Sequence, residues 1–172
     1  MDAPWLTHHV DPTGQALALI DRQWLLTNGT GAYSMGTLPG VNTHRYHGLL
    51  IAAAHPPVGR IMALNQMLEQ LVLLTPDGHH VVHLSACAFR DELGEPTYAP
   101  AGHTHLVRFE KGTSAVWTYQ AGPVRVMRQL FLHWHQQAVT INYTVTGLEH
   151  PAILHASPML TLRDFHSLTR RH

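Results

Sequence analysis

The 172-residue chain has one cysteine, Cys87, and little charge, with Asp, Glu, Lys and Arg together making up 13% of it. A lone thiol excludes an internal disulfide and fits a reducing compartment. Eleven basic and eleven acidic residues cancel at neutral pH. An electrostatic nucleic-acid binder would instead carry a basic stripe, so no nucleic-acid partner is expected. No apolar run is long enough to cross a bilayer, and the opening MDAPWLTHHVDPTG has no basic-then-apolar signal. A cytoplasmic location without a membrane partner is the expectation. Internal repeats of 20–50 residues and low-complexity linkers are also missing.

What remains is apolar and β-prone. Hydrophobic residues make up 45% of the chain, enough to bury a core, and the simplest organisation is one domain over 1–172. Short strand-like runs alternate with turns. MLEQLVLL (67–74) and HHVVHL (79–84) flank TPDG, where Pro76 presets φ and Gly78 tolerates the reversal, and they read as a hairpin. HTHLVRFE and TSAVWTYQ flank Lys111-Gly112 as a second hairpin. In GPVRVMRQLFLHW the set Val124, Val126, Arg128, Leu130, Leu132 and Trp134 is mostly apolar, as one face of a strand against a core would be. AVTINYTV alternates Val139, Ile141, Tyr143 and Val145 with polar residues. Only MALNQMLEQLVLL also admits a helix. The rhythm predicts an all-β fold, an antiparallel β-sandwich. The turn-rich segment 91–102 is read as its longest loop and as a functional edge.

The stretch TNGTGAYSMGTLPGVNTHRYHGLLIAAA (27–54) concentrates glycine ahead of a buried strand. A phosphate loop is a poor reading. Ser34 stands where a dinucleotide fingerprint wants its third glycine, no Gly-Lys-Ser/Thr follows, and the next segment is not a helix. Turn-making glycines at the mouth of a strand fit better. Continuing the strand's alternation backwards puts Arg45, His47 and Leu49 on one side and His44, Tyr46 and Leu50 on the other. Spacing alone favours Arg45 and His47 as partners of loop carbonyls or a carboxylate.

Other constellations are weaker. His103-x-His105 and His133-x-His135, if on strands, each set two imidazoles on one face about 7 Å apart along the backbone. With Glu110, the first pair has a His-x-His-x4-Glu spacing similar to the first cupin metal motif, but Trp117 occupies the place of its later glycine. Cys87, in LSACAF, reads as a small core residue. No Gly-x-Ser-x-Gly elbow is present. Asp91, Glu92 and Glu95 read as solvated loop acids, and Asp164 as an ion-pair partner of Arg163 or His166. No residue is assigned as catalytic.

Residues 24–60, WLLTNGTGAYSMGTLPGVNTHRYHGLLIAAAHPPVGR, resemble the opening signature of the N-terminal domain of bacterial and archaeal glycogen debranching enzymes, the amylo-α-1,6-glucosidase family. The resemblance continues through PAGHTHLVRF and PMLTLRDFHSLTRRH. Gln23 replaces the usual Glu, Ala32 the second glycine of a Gly-Gly pair, and His44 the first arginine of Arg-Arg-Tyr-His. The resemblance implies a large, supersandwich-like β-sandwich ahead of a helical (α/α) barrel that hydrolyses α-1,6-linked glucose in glycogen breakdown. In that family the catalytic carboxylates belong to the barrel, so this chain alone is not expected to debranch, and no cofactor is implied. The implied partners are α-glucan (glycogen or limit dextrin), reached through the parent enzyme, and the helical catalytic domain in cis. The family's domain continues beyond RDFHSL, so a truncated or cut-down sandwich, incomplete at its C-terminal end and exposing an apolar edge, is expected.

Candidates for glucan or domain-interface contact are Asn28, Tyr33, Arg45, Tyr46, His47, Arg163, Asp164 and His166. Arg45 and His47 offer hydrogen bonds, and Tyr33 or Tyr46 a ring to stack on a sugar. Two alternatives stand beside this reading. One is a cupin-like metal-binding protein using His103, His105 and Glu110, and the other is a free-standing carbohydrate-binding module.

Overall fold

The computed structural model describes residues 4–10, 15–55 and 58–168. Among these are thirteen strands and two 3-10 turns. One sheet has the spatial order β1 (Leu6–His9), β9 (Leu106–Lys111), β10 (Ala115–Ala121), β11 (Val124–Leu132) and β12 (Val139–Thr146). The other runs β13 (Ala152–Asp164), β5 (Gly59–Thr75), β4 (Gly48–His55), β3 (Tyr33–Thr37) and β2 (Gln23–Thr27), with β6 (Gly78–His83) also on β5. Every pairing is antiparallel. The expected all-β antiparallel sandwich is the fold.

The segment that also admitted a helix lies wholly inside β5, a 17-residue strand. One edge of β5 pairs with β13, and the other is shared by β4 at its start and β6 at its end. Pairing on both edges satisfies the backbone, and a period of two sends Met67, Glu69, Leu71 and Leu73 toward the facing sheet. The hairpin at Pro76–Gly78 closes in the expected register, Thr75 opposite Gly78. The last two strands in the chain, β12 and β13, each lie at one edge of their sheet, with β1 and β2 at the opposite edges. Ile153, Met159, Leu160 and Leu162 of β13 are exposed.

The core is aromatic at its centre. Trp24 of β2 meets Trp117 edge-on at 5.2 Å between centroids, and Trp117 meets Phe109 at 5.3 Å. Each indole donates to a carbonyl, Trp24 to Thr37 and Trp117 to Leu38, so both rings are buried with no polar cost left over. Burying each such side chain stabilises the fold by roughly 1.5–3 kcal/mol.

Several local expectations are corrected. Residues 44–47 form a turn, with His47 N–H donating to the His44 carbonyl, and the strand begins only at Gly48. A Cβ on Gly48 would lie 2.3 Å from the Met62 sulfur, so the glycine lets the buried Met62 pack against the start of the strand. Segment 91–102 is not one loop: β7 (Cys87–Arg90) and β8 (Pro96–Ala99) pair as a hairpin, followed by a 3-10 turn over Gly102–His105. Trp134 falls beyond β11 in a turn and is exposed rather than on the core face, because the strand ends at Leu132.

Candidate functional site

The two ends of the family-like signature, over a hundred residues apart in sequence, meet at one end of the second sheet. Arg45 donates from Nη1 to the His166 carbonyl at 2.7 Å, and Arg163 returns the link from Nη2 to the Arg45 carbonyl at 2.7 Å. Arg163 Nη1 also reaches the carbonyls of Asp164, Phe165 and Ser167. Tyr46 Oη lies 3.2 Å from His166 Nδ1, and its ring packs on Phe165 at 5.6 Å. Tyr33 donates to the Tyr46 carbonyl, and burial pushes its phenol above the ordinary range. Phe165 is buried with Ile51 and Met62, which anchors the cluster to the sheet.

The backbone aims Arg163 deliberately. Between Leu160 and Arg163, β13 carries one residue more than the β5 segment it pairs with, from Leu64 to Met62. Leu162, in that bulge, has φ of 47°, a conformation a branched side chain adopts only when surrounding contacts impose it. Asp164 makes no ion pair with Arg163 or His166. Its Oδ1 accepts the His166 N–H instead, closing the tight turn that presents the carbonyls to Arg45 and Arg163.

His47 is fully buried, so its imidazole turns inward and not to solvent. Its Nδ1 accepts the Thr43 N–H at 3.1 Å, its Nε2 has no partner among the described residues, and the His44 ring lies on it at 3.6 Å. Burial, and then the charge of His44, pull its pKa down to about 4, so it is neutral at pH 7. Beside this cluster opens a cleft of about 400 Å³ lined by Asn42, His44, Arg45, Asn65, Arg163 and Leu168. Among the described residues its wall carries two guanidiniums and two side-chain amides and no carboxylate. Arg45 Nη1, Arg163 Nη1 and Nη2 and Asn42 Nδ2 already donate to protein acceptors, which leaves the remaining donors for hydroxyl-bearing groups.

Asn28 does not join this group. It is buried, and its Oδ1 accepts from the Thr30 and Ala32 N–H groups, shaping the glycine loop. Its Nδ2 donates to the Gln136 carbonyl at 2.8 Å, which fastens the β11–β12 connection. Arg60 bridges the two regions, donating to the Gly31 carbonyl while its guanidinium covers the Phe165 ring at 5.5 Å.

The alternative metal set does not assemble. His103 and His105 sit in a 3-10 turn, and His133 and His135 lie past the end of β11, so neither pair has the strand-face spacing that chelation required. Glu110 pairs with Arg108 at 2.8 Å. Among the described residues no three His, Cys, Asp or Glu side chains come together as a metal site. Cys87 is half-buried beside Gln66, and burial raises its thiol pKa. Asp91 spends its carboxylate on the N–H groups of Leu93 and Glu95 at the β7–β8 tip.

One polar centre had no distinct sequence signal. Arg128 of β11 pairs with Glu69 of β5 at 2.8 Å between the sheets, lies over the Trp117 ring, and shares Glu69 with the Tyr143 hydroxyl. Burial disfavours the Arg128 charge, but the Glu69 carboxylate outweighs it and holds the guanidinium above its usual pKa. Burial, reinforced by Glu69, raises Tyr143 well above the tyrosine range, and Tyr119 is pushed up to about 12. This centre is sealed in the core, so it is structural. The only hint of it in sequence was an arginine within an apolar face.

Fold and site together define an antiparallel β-sandwich domain whose glycine-rich signature and Arg-Asp-Phe-His segment lock into one surface cluster. The chain belongs to the family described as "Glycogen debranching enzyme N terminal", whose model matches residues 22–172. No curated protein and no solved structure matches it. No helix among the described residues is long and apolar enough to cross a membrane.

Proposed function

We propose that this chain is the non-catalytic N-terminal domain of a glycogen debranching enzyme. It supports the helical α-1,6-glucosidase barrel and contacts α-glucan during glycogen breakdown in the cytoplasm. The observation that carries the reading is the reciprocal Arg45–Arg163 link, which joins two distant family blocks into one preorganised surface. Both guanidiniums are spent on backbone carbonyls, so their role is to hold this end of the sandwich in shape for a neighbour. The adjoining cleft, with Asn42, His44 and Asn65, is where glucan hydroxyls would be met. The reading rests on family membership together with this cluster.

The test is made in the enzyme that carries both domains. Arg45→Ala is expected to lower debranching activity well below that of His79→Ala, an exposed residue of the β5–β6 hairpin. Equal and negligible losses would remove the cluster from any role at the site or the domain junction.

A further inference from the structure

A second surface, outside the Arg45–Arg163 cluster, carries the features of a sugar-stacking site. Residues 133–138, HWHQQA, connect β11 to β12 and are fastened onto the glycine loop of the opposite sheet. His135 N–H donates to the Asn28 carbonyl at 2.9 Å, and Asn28 Nδ2 donates to Gln136. Gln137 Oε1 accepts the Ala53 N–H at 2.7 Å. His135 is held at φ of 58°, an uncommon conformation for a non-glycine residue that persists where the surroundings impose it. The loop is therefore fixed, yet it holds its largest side chain out of the core, with Trp134 66% exposed.

The indole is also oriented. It stacks on the His135 ring at 4.9 Å and 22°, and it lies so close to the backbone of Gly29 that a Cβ there would sit 2.8 Å from the ring. Gly29, whose φ of 79° already favours glycine, leaves room for the indole to lie against the loop. Trp134 forms one wall of a groove of about 410 Å³, and Trp5, 71% exposed, forms another. Leu25, Leu26 and Leu132 supply apolar lining, Thr27 and Thr113 supply hydroxyls, and the Lys111 ammonium covers one face of Trp5 at 4.9 Å, which leaves the other face for a ring. That volume is within the range of small-ligand clefts.

We infer that this groove binds an α-glucan segment, with pyranose rings stacked on Trp134 and Trp5. A glucose ring is uncharged, with an apolar C–H face and a rim of hydroxyls. Flat indoles edged by hydroxyls and one ammonium complement both parts, and a fixed loop avoids the entropy cost of ordering them. A phosphorylated or acidic ligand would call for a denser set of cations than Lys111 provides. The choice of α-glucan as the sugar rests on the proposed debranching role, whereas the stacking site rests on the two indoles.

The test is titration of the chain with a linear maltooligosaccharide in the millimolar range, followed by heat and by indole fluorescence. Trp24 and Trp117 are buried, so the fluorescence change reports Trp5 and Trp134. Trp134→Ala is expected to weaken binding by about tenfold or more, from the loss of one aromatic stacking contact. Trp5→Ala should weaken it less, and Trp134→Phe should retain most of it. Asn42→Ala, in the other cleft, should leave this binding unchanged. A Trp134→Ala protein that is folded by circular dichroism and binds as tightly as the parent overturns the inference. Loss confined to Asn42→Ala overturns it too, while leaving the Arg45 cleft as the glucan contact. No binding by the parent chain overturns both glucan assignments, and the Arg45 assay in the whole enzyme then judges the supporting role separately.

Discussion

Arg128 and the pair Arg45 and Arg163 show two ways of placing a guanidinium. Arg128 lies between the sheets and is matched charge for charge by Glu69, with Tyr143 completing the carboxylate's shell. Arg45 and Arg163, at the sheet end, touch no carboxylate among the described residues and bond to backbone carbonyls of each other's segments. The difference follows from solvent. A charge removed from water requires a counter-charge, whereas an exposed one is already hydrated and can use its planar donors as a geometric clamp. The interior arginine therefore secures the packing of two sheets, and the surface pair secures the shape of a surface.

The sharpest way to break this contrast is to remove the interior counter-charge. Glu69→Gln leaves Arg128 buried and uncompensated and is expected to cost about 3–5 kcal/mol of stability in denaturant unfolding. Replacing Glu69 and Arg128 together by apolar residues of similar volume should recover much of that loss. If Glu69→Gln unfolds like the parent, the pair does not tie the two sheets together.

The next effect is on pH. His47 has a folded pKa of about 4 against 6.5 for the ordinary imidazole. Between these values the unfolded chain binds the proton and the folded chain does not, so stability is full above about pH 6.5 and is lost as pH falls toward 4. The buried His103, whose pKa is also lowered, acts in the same direction. His47→Gln should flatten the stability-against-pH curve in that window while leaving the His103 share. An unchanged slope would mean that folding does not lower the His47 pKa.

The smallest effect belongs to the surface clamp. Arg163→Ala removes hydrogen bonds that compete with water, so the expected global loss is about 1 kcal/mol, from the modest net value of such bonds. Its signature is local: amide exchange should quicken in residues 163–168 while the β5 and β11 amides keep their protection. Equal acceleration throughout would make Arg163 part of the core and erase the contrast.

Much of the architecture was legible along the chain. The Pro76–Gly78 hairpin, the alternation of β12 and the inward set from Val124 to Leu132 depend on neighbours and on a period of two, and they appear as read. The signature residues were also legible as a group, but not their division of labour. Asn28 binds the Trp134 loop, His47 turns inward, and Arg45 and Tyr46 join His166, because a turn at 44–47 breaks the alternation that extrapolation assumed. His103-x-His105 misled for the same reason, since a spacing of two means one face only on a strand.

Trp134 shows where reading by pattern ends. Alternation placed it inward, and one residue of strand termination after Leu132 turned it out to the solvent beside Gly29.

By itself the sequence determined the all-β class, the strand rhythm and the family, because hydrophobic period, turn residues and a long mixed-chemistry motif are local properties. Only the tertiary structure decided that Glu69 meets Arg128, that Arg45 meets Arg163 and that Trp134 faces a groove. Each of these depends on which strands lie opposite one another and where a strand stops. Those outcomes are set by packing between segments far apart in the chain, which no local spacing records.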